Sequence, residues 1–468
     1  MVGELRKQFK QVKTVLATIG RAERGDTADV NYMEVLLELK PQAEWPQKMT
    51  YTALGREMQE ALESDEQQAA EDDGTAPAEG SDEDQKQDEK DQGTTGKIVC
   101  MFCHAPHDSD YQGITTADQE EFRGTLRRAL EARSPTKEVR RLMATEAGFE
   151  REAWKKLNQE MGLTAVAIPE TYGGAGFGFS ELCIVLEEMG RSLLCAPYFS
   201  TAAMAATAIL NAGTEEQKKA LLPAIASGDV TATLAFDDAP GTAATVAKSG
   251  KITGTKTYVL DGHTADLIVV LAGNSLYTVD GKAAGLERKL LKSMDETRKL
   301  ARLTFTNVEG KLLGVEGGAA APFAKTMQQI YICLANEMVG SAERLREDSL
   351  EYVKMRMQFG RSIASFQVTK AKAADMLVDV ELAKSAAYYA AAAIDENDEE
   401  LPALASLAKA AAAEASVSTA VHAIQMHGGI GFTWDNDTHL WFKRAKSSEI
   451  LFGDANVHRE KMMQHWKH

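Results

Sequence analysis

The chain has few of the features that mark secreted or membrane proteins. Its 468 residues hold five cysteines: Cys100, Cys103, Cys183, Cys195 and Cys333. An odd number does not build a disulfide framework, so a reducing, cytoplasmic setting is expected. The opening segment has no unbroken apolar stretch and no small-residue cleavage site, which argues against a secretory signal. No apolar run reaches roughly 18 residues, so no bilayer-spanning helix is expected. Positive charge is scarce too, with 52 Lys and Arg against 69 Asp and Glu, a net of -17. That balance repels nucleic acid phosphate and argues against general DNA or RNA binding, a local basic patch aside.

The acid is concentrated. Thirteen Asp or Glu and two Lys fall between Glu63 and Asp91, a local net of -11. Residues 64–110 hold little that is apolar and are expected to form a disordered acidic linker. Before the linker, Leu5, Phe9, Val12, Val15, Leu16 and Ile19 space out as one helical stripe. A helical N-terminal extension, residues 1–63, is therefore predicted.

The rest falls into three regions. Residues 111–229 read as helices, with Thr116 a candidate N-cap and "SELCIVLEEMGRSL" an amphipathic segment. In residues 230–316, "VTATLAF", "KTYVLDG", "DLIVVLA" and "SLYTVDG" are short, β-branched and bounded by turn residues. Residues 317–468 carry alanine-rich runs that form helix strongly. The fold expected is multi-domain and mainly α: a helical domain, a middle β domain and a C-terminal four-helix bundle.

Four stretches carry a resemblance: "AIPETYGGAGFGFSELCIVLEEMGRSL", "GTKTYVLDGHTADLIVVLA", "EYVKMRMQFGRSIASFQVTKAKAADM" and "AVHAIQMHGGIGFTWDNDTHLWFKRAK". In order and spacing they resemble the acyl-CoA dehydrogenase family over roughly residues 111–468. The resemblance implies FAD as cofactor and α,β-desaturation of an acyl-CoA of lipid or steroid type. It also implies an electron-transferring flavoprotein as electron acceptor and a homo- or heterotetramer. Arg356, Phe359, Gln367, Gln425, Gly428, Gly429 and Asn456 match its FAD-contacting positions. A guanidinium suits a diphosphate, being planar and bidentate. Glycines let the backbone come close to one.

One departure is central. Counted 27 residues on from Gln425, the family's carboxylate base falls on Phe452. The family's alternative base position falls on Ile330, beside Tyr331. Neither side chain accepts a proton. Asp454 is the nearest candidate for a displaced base, or else an N-cap of the last helix; Glu337 is a weaker candidate. The other readings are a base-lacking subunit of an α2β2 enzyme, or a different flavin oxidation such as that of nitroalkanes. A second departure is "DDAPGTAA", where only Pro240 and Gly241 echo the family's flavin-facing segment.

Two side readings complete the list. Asp435 and Asp437, with His439 nearby, could hold a metal but are expected instead to cap the helix that follows, and His427 to pack. Cys100, Cys103 and His107, with His104, have the spacing of a weak zinc or haem-attachment motif.

Overall fold

The computed structural model describes residues 116–465 and four strand segments before them. Those segments form two antiparallel pairs. β1 (Val12–Gly20) pairs with β2 (Tyr32–Leu39), with Gly20 opposite Tyr32 and Val12 opposite Leu39. β3 (Ile98–Val99) pairs with β4 (Pro106–His107). The helix predicted over the first stripe is thus a strand where it is described. Val12, Thr14, Val15, Thr18 and Ile19 are β-branched, and a pleated backbone suits them better than a helix. The acidic linker lies outside the described residues except for the β3 and β4 segments.

From Ala117 the chain is helical: α1 (Ala117–Arg133), α2 (Thr136–Met143), α3 (Arg151–Met161) and α4 (Phe179–Ser192). A π-helical segment, Phe199–Ala206, runs into α5 (Thr207–Ala212), and α6 (Glu215–Ala226) follows. Thr116 caps α1 in a reciprocal capping box with Gln119.

Strands then take over: β5 (Ala232–Ala235), β6 (Val246–Lys248), β7 (Lys251–Leu260), β8 (Leu267–Ala272), β9 (Ser275–Asp280), β10 (Leu286–Leu291), β11 (Leu300–Glu309) and β12 (Lys311–Leu313). They form two four-stranded sheets, ordered β10-β11-β7-β6 and β12-β9-β8-β5. All pairings are antiparallel except β5 with β8. Ile252, Val259, Ile268, Val270, Val279, Leu303 and Phe305 form an apolar cluster between the sheets.

Helix returns with α7 (Ala320–Met355), then a small hairpin of β13 (Met357–Gln358) and β14 (Arg361–Ser362). α8 (Gln367–Glu396), α9 (Leu401–His427), α10 (Thr438–Ile450) and α11 (Ala455–His465) complete the bundle. α4 and α7 cross with backbones nearly touching, at Gly190 on one and Gly340 on the other. No helix among the described residues is long and apolar enough to cross a membrane.

Candidate active site

Position 452 sits in the turn between α10 and α11. α10 stops at Ile450, and the chain reverses through two left-handed residues, Phe452 (φ 64°) and Gly453 (φ 111°). A phenylalanine there is strained by about 1 kcal/mol or more, so something must hold it. Lys409 Nζ, buried in the middle of α9, donates to the carbonyls of Glu449 and Gly453, both at 3.1 Å. On the other side His458 Nε2 lies 3.2 Å from the Phe452 carbonyl and donates to it as the Nε2–H tautomer.

The Phe452 ring joins an aromatic group drawn from four parts of the fold. It stacks on Phe199 of the π-helical segment at 6.5 Å and tilts against Phe236, just past β5, at 5.8 Å. Phe236 meets Phe323 of α7 at 5.6 Å. These centroid separations are those of rings in mutual contact. No carboxylate occupies this position. Ile330 is fully buried, and Tyr331 beside it takes an edge contact from His458 and a hydrogen bond from Lys461.

The two candidate carboxylates are otherwise engaged. Asp454 accepts the Val457 amide at 2.9 Å, and its carbonyl accepts the His458 amide, so it caps α11. Its side chain is exposed. Glu337 is buried between two arginines. Arg298, from the β10–β11 connection, donates to both its oxygens at 2.7 and 2.8 Å, and Arg444 of α10 donates to Oε1. Arg444 also reaches Asp295 at 3.0 Å and Thr297 at 2.7 Å, and Arg298 reaches Ser448 at 2.9 Å. Two cations thus meet two anions in a nearly dry cluster. Burial lowers the pKa of Arg298 despite Glu337. For Arg444, burial is outweighed by Asp295 and Glu337, which hold it above its ordinary value. Next to the cluster Asp261 accepts from Ser200 at 2.7 Å, and burial pushes its pKa up to about 6.

The cofactor candidates fall into two groups. Six gather where α7 and α9 end. There Tyr352 stacks on His427 at 4.3 Å, so His427 packs as expected. Ser362 donates to the Val353 carbonyl at 2.8 Å and ties the β13–β14 hairpin to α7. Arg356, Phe359, Gln367, Gln425, Gly428 and Gly429 are all exposed around this end, Phe359 by 89% at the hairpin tip. Gly428 (φ 68°) and Gly429 have open space where a Cβ would stand, which leaves their backbone free to be approached. Asn456 stands apart, exposed at the start of α11. It accepts from Arg459 at 3.3 Å. Along α9, Lys409 beside the turn and Gly428 are roughly 28 Å apart at 1.5 Å per residue.

In "DDAPGTAA", Asp238 accepts from Lys256 at 2.8 Å and from the Thr245 hydroxyl at 2.6 Å, which braces the loop behind Phe236. Asp437 does not cap α10 through its side chain. It pairs with Arg140 at 2.7 Å, and Asn436 accepts the Thr438 amide instead. A guanidinium is a stronger partner for a carboxylate than one amide is. Cys100, Cys103, His104 and His107 lie outside the residues whose side chains are described, and no metal-binding group occurs among those that are.

The sequence did not single out Phe199, Phe236, Phe323, Arg298, Arg444, His458 or Lys409. One signal was available: "ASLAKAAAAEAS" places a lysine inside an apolar alanine run, where a buried charge needs a partner.

Comparison with known proteins agrees with this layout. A model of the acyl-CoA dehydrogenase N-terminal domain matches residues 116–229, and one of the C-terminal domain matches 322–466. The acyl-CoA dehydrogenase IpdE2 of Mycobacterium tuberculosis is 33% identical over 330 residues, covering 70% of this chain and 91% of the relative. The ChsE4-ChsE5 complex of the same organism superposes with a TM-score of 0.70 at 27% identity, over 75% of this chain and 97% of the other. A variant steroid ACAD formed by Tcur3481 and Tcur3483 gives 0.68 at 28% identity, over 74% and 97%.

Proposed function

Because the chain belongs to the acyl-CoA dehydrogenase family and is an oxidoreductase acting on acyl-CoA, we propose a specific role in FAD-dependent α,β-desaturation. The chain serves as the subunit without the proton-abstracting carboxylate, in a heterotetramer whose other subunit type carries that base. The observation that carries this reading is Phe452, packed ring to ring with Phe199 and Phe236 where the base would stand. Glu337 is neutralised by two arginines and Asp454 is a helix cap, so neither replaces it.

The residues at the α7–α9 end fit FAD. Arg356 is an exposed guanidinium for a diphosphate, and the open backbone at Gly428 and Gly429 admits phosphate oxygens. Gln425, Gln367 and Phe359 line the same end, and Asn456 belongs to the distant turn. That split supports a site completed by a second protomer. When bound, FAD supplies the hydride acceptor. The aromatic group at Phe452 would contribute shape and exclude water at the turn end of the site, strengthening polar contacts near it. The substrate proposed is an acyl-CoA of lipid or steroid side-chain type, and the electron acceptor an electron-transferring flavoprotein. Likeness to the steroid ACAD and to a two-protein complex supports the substrate class and the heteromer.

The test compares the chain purified alone with the chain co-expressed with candidate partner subunits. The complex is expected to be yellow and to bleach with acyl-CoA; the chain alone is expected not to bleach. Asp454→Asn within the complex should keep the bleaching rate within about threefold, whereas loss of a working base removes ~10²–10⁴-fold. Bleaching by the chain alone, abolished by Asp454→Asn, would establish a displaced base instead.

A further inference from the structure

A fully buried lysine in an alanine-rich helix is an unfavourable placement unless its charge has partners. Lys409 lies among Ala405, Ala408, Ala410, Ala412 and Ala413, all buried. Its hydrogen-bond partners are two backbone carbonyls, those of Glu449 and Gly453. Both belong to the C-terminal end of α10 and the turn beyond it, where helix carbonyls lack partners of their own. With His458 on the Phe452 carbonyl, the left-handed pair at 452 and 453 is clamped from two helices.

We propose that Lys409 is a positioning residue: its buried amine fixes the 449–453 turn and so sets where the side chain at 452 stands. The relevance of this to desaturation rests on the function proposed above; the clamp itself does not. Several titratable groups face the amine. They are Glu449 on α10, Asp454 in the turn, Arg298 from the β10–β11 connection, and Lys461 and the neutral imidazole of His458 on α11. Burial dominates and draws Lys409 down to about 8, with the two carboxylates opposing and the cations assisting.

The sign of the pH effect follows. With the turn closed the amine titrates near 8; when opening hydrates it, it returns towards its ordinary 10.5. Between these values the open turn binds more protons, so the closed turn gains on the open one as pH rises.

The measurement is amide hydrogen exchange of the full chain in the assembly in which it purifies, corrected for intrinsic rates. It is read at Leu451 and Gly453, whose amides bond to Ser447 and Ile450. From pH 7 to 9 the wild-type protection is expected to rise roughly tenfold. Lys409→Arg, always charged, should keep the turn protected but flatten the profile. Lys409→Met, with no titrating amine, should give a flat profile that lies about tenfold below wild type at pH 7 and about a hundredfold below it at pH 9, with no fall in melting temperature. A flat wild-type profile, or a Lys409→Met turn as protected as wild type, overturns the proposal. Should the methionine variant fail to fold, the wild-type and arginine profiles still decide it. None of these readings depends on flavin bleaching, so failure of the clamp and failure of the proposed function are told apart.

Discussion

Glu337→Gln should lower the unfolding free energy by about 3–5 kcal/mol, seen as a lower denaturant midpoint. The substitution keeps the shape and removes the charge. Arg298 and Arg444 then share one anion, Asp295, and only Arg444 touches it. The surroundings are nearly dry: Arg298, Arg444, Glu337 and Asp295 are all buried. Arg298 would keep its hydrogen bond to Ser448 but lose both bonds to a carboxylate. Two cations would be left close together with a single carboxylate of the cluster to balance them. A double change, Arg298→Met with Glu337→Met, removes one charge of each sign and leaves the Arg444–Asp295 pair intact. It should therefore cost less than Glu337→Gln alone. Equal stability of Glu337→Gln and wild type would show that the cluster is not held by charge balance.

Gly340→Ala should cost about 3 kcal/mol, at the upper end for overpacking. An added Cβ would stand 1.9 Å from the Glu187 carbonyl oxygen of α4, and backbone there cannot swing aside as a side-chain tip can. The reciprocal contact is equally tight: a Cβ on Gly190 would stand 2.1 Å from the Glu337 carbonyl. The two helices must separate, and buried groups are carried with them. Glu187, which takes hydrogen bonds from Arg123 and from Tyr388 at 2.7 Å, sits in the same turn. Gly429→Ala is the contrast. Its Cβ meets nothing within 4 Å, so stability should change by no more than about 0.5 kcal/mol. On the FAD site proposed above, flavin retention should fall, because the methyl would cover backbone offered there to the diphosphate. Denaturation of the three proteins checks the first two statements, and absorbance after gel filtration checks the third.

How much of this was legible follows from how local each signal was. β-branched content and turn residues marked the strands from "VTATLAF" to "SLYTVDG", and alanine runs marked α8 and α9, because both signals are written in neighbouring residues. Thr116 capped α1 for the same reason. The first stripe misled: its apolar spacing fits a helix, but its β-branched content fits the strand that forms. That the family's base position falls on Phe452 was readable from the resemblance, counted on from Gln425. What surrounds 452 was not. Phe199, Phe236 and Phe323 come from three distant segments, and nothing in their own surroundings foretells the meeting. Glu337 read as a spare carboxylate because its arginines lie 39 residues before it and 107 after it. Asp437 read as a cap because the competing arginine, Arg140, is 297 residues away.

The hairpin after α7 carries one more consequence. Phe359 projects into water from a left-handed corner, without a covering neighbour of its own chain on most of its face. A lone protomer therefore wets poorly at that spot. On strong dilution it should be lost to vessel walls well before any helix melts. Recovery from dilute stock, rather than the melting curve, is where solitude would first show.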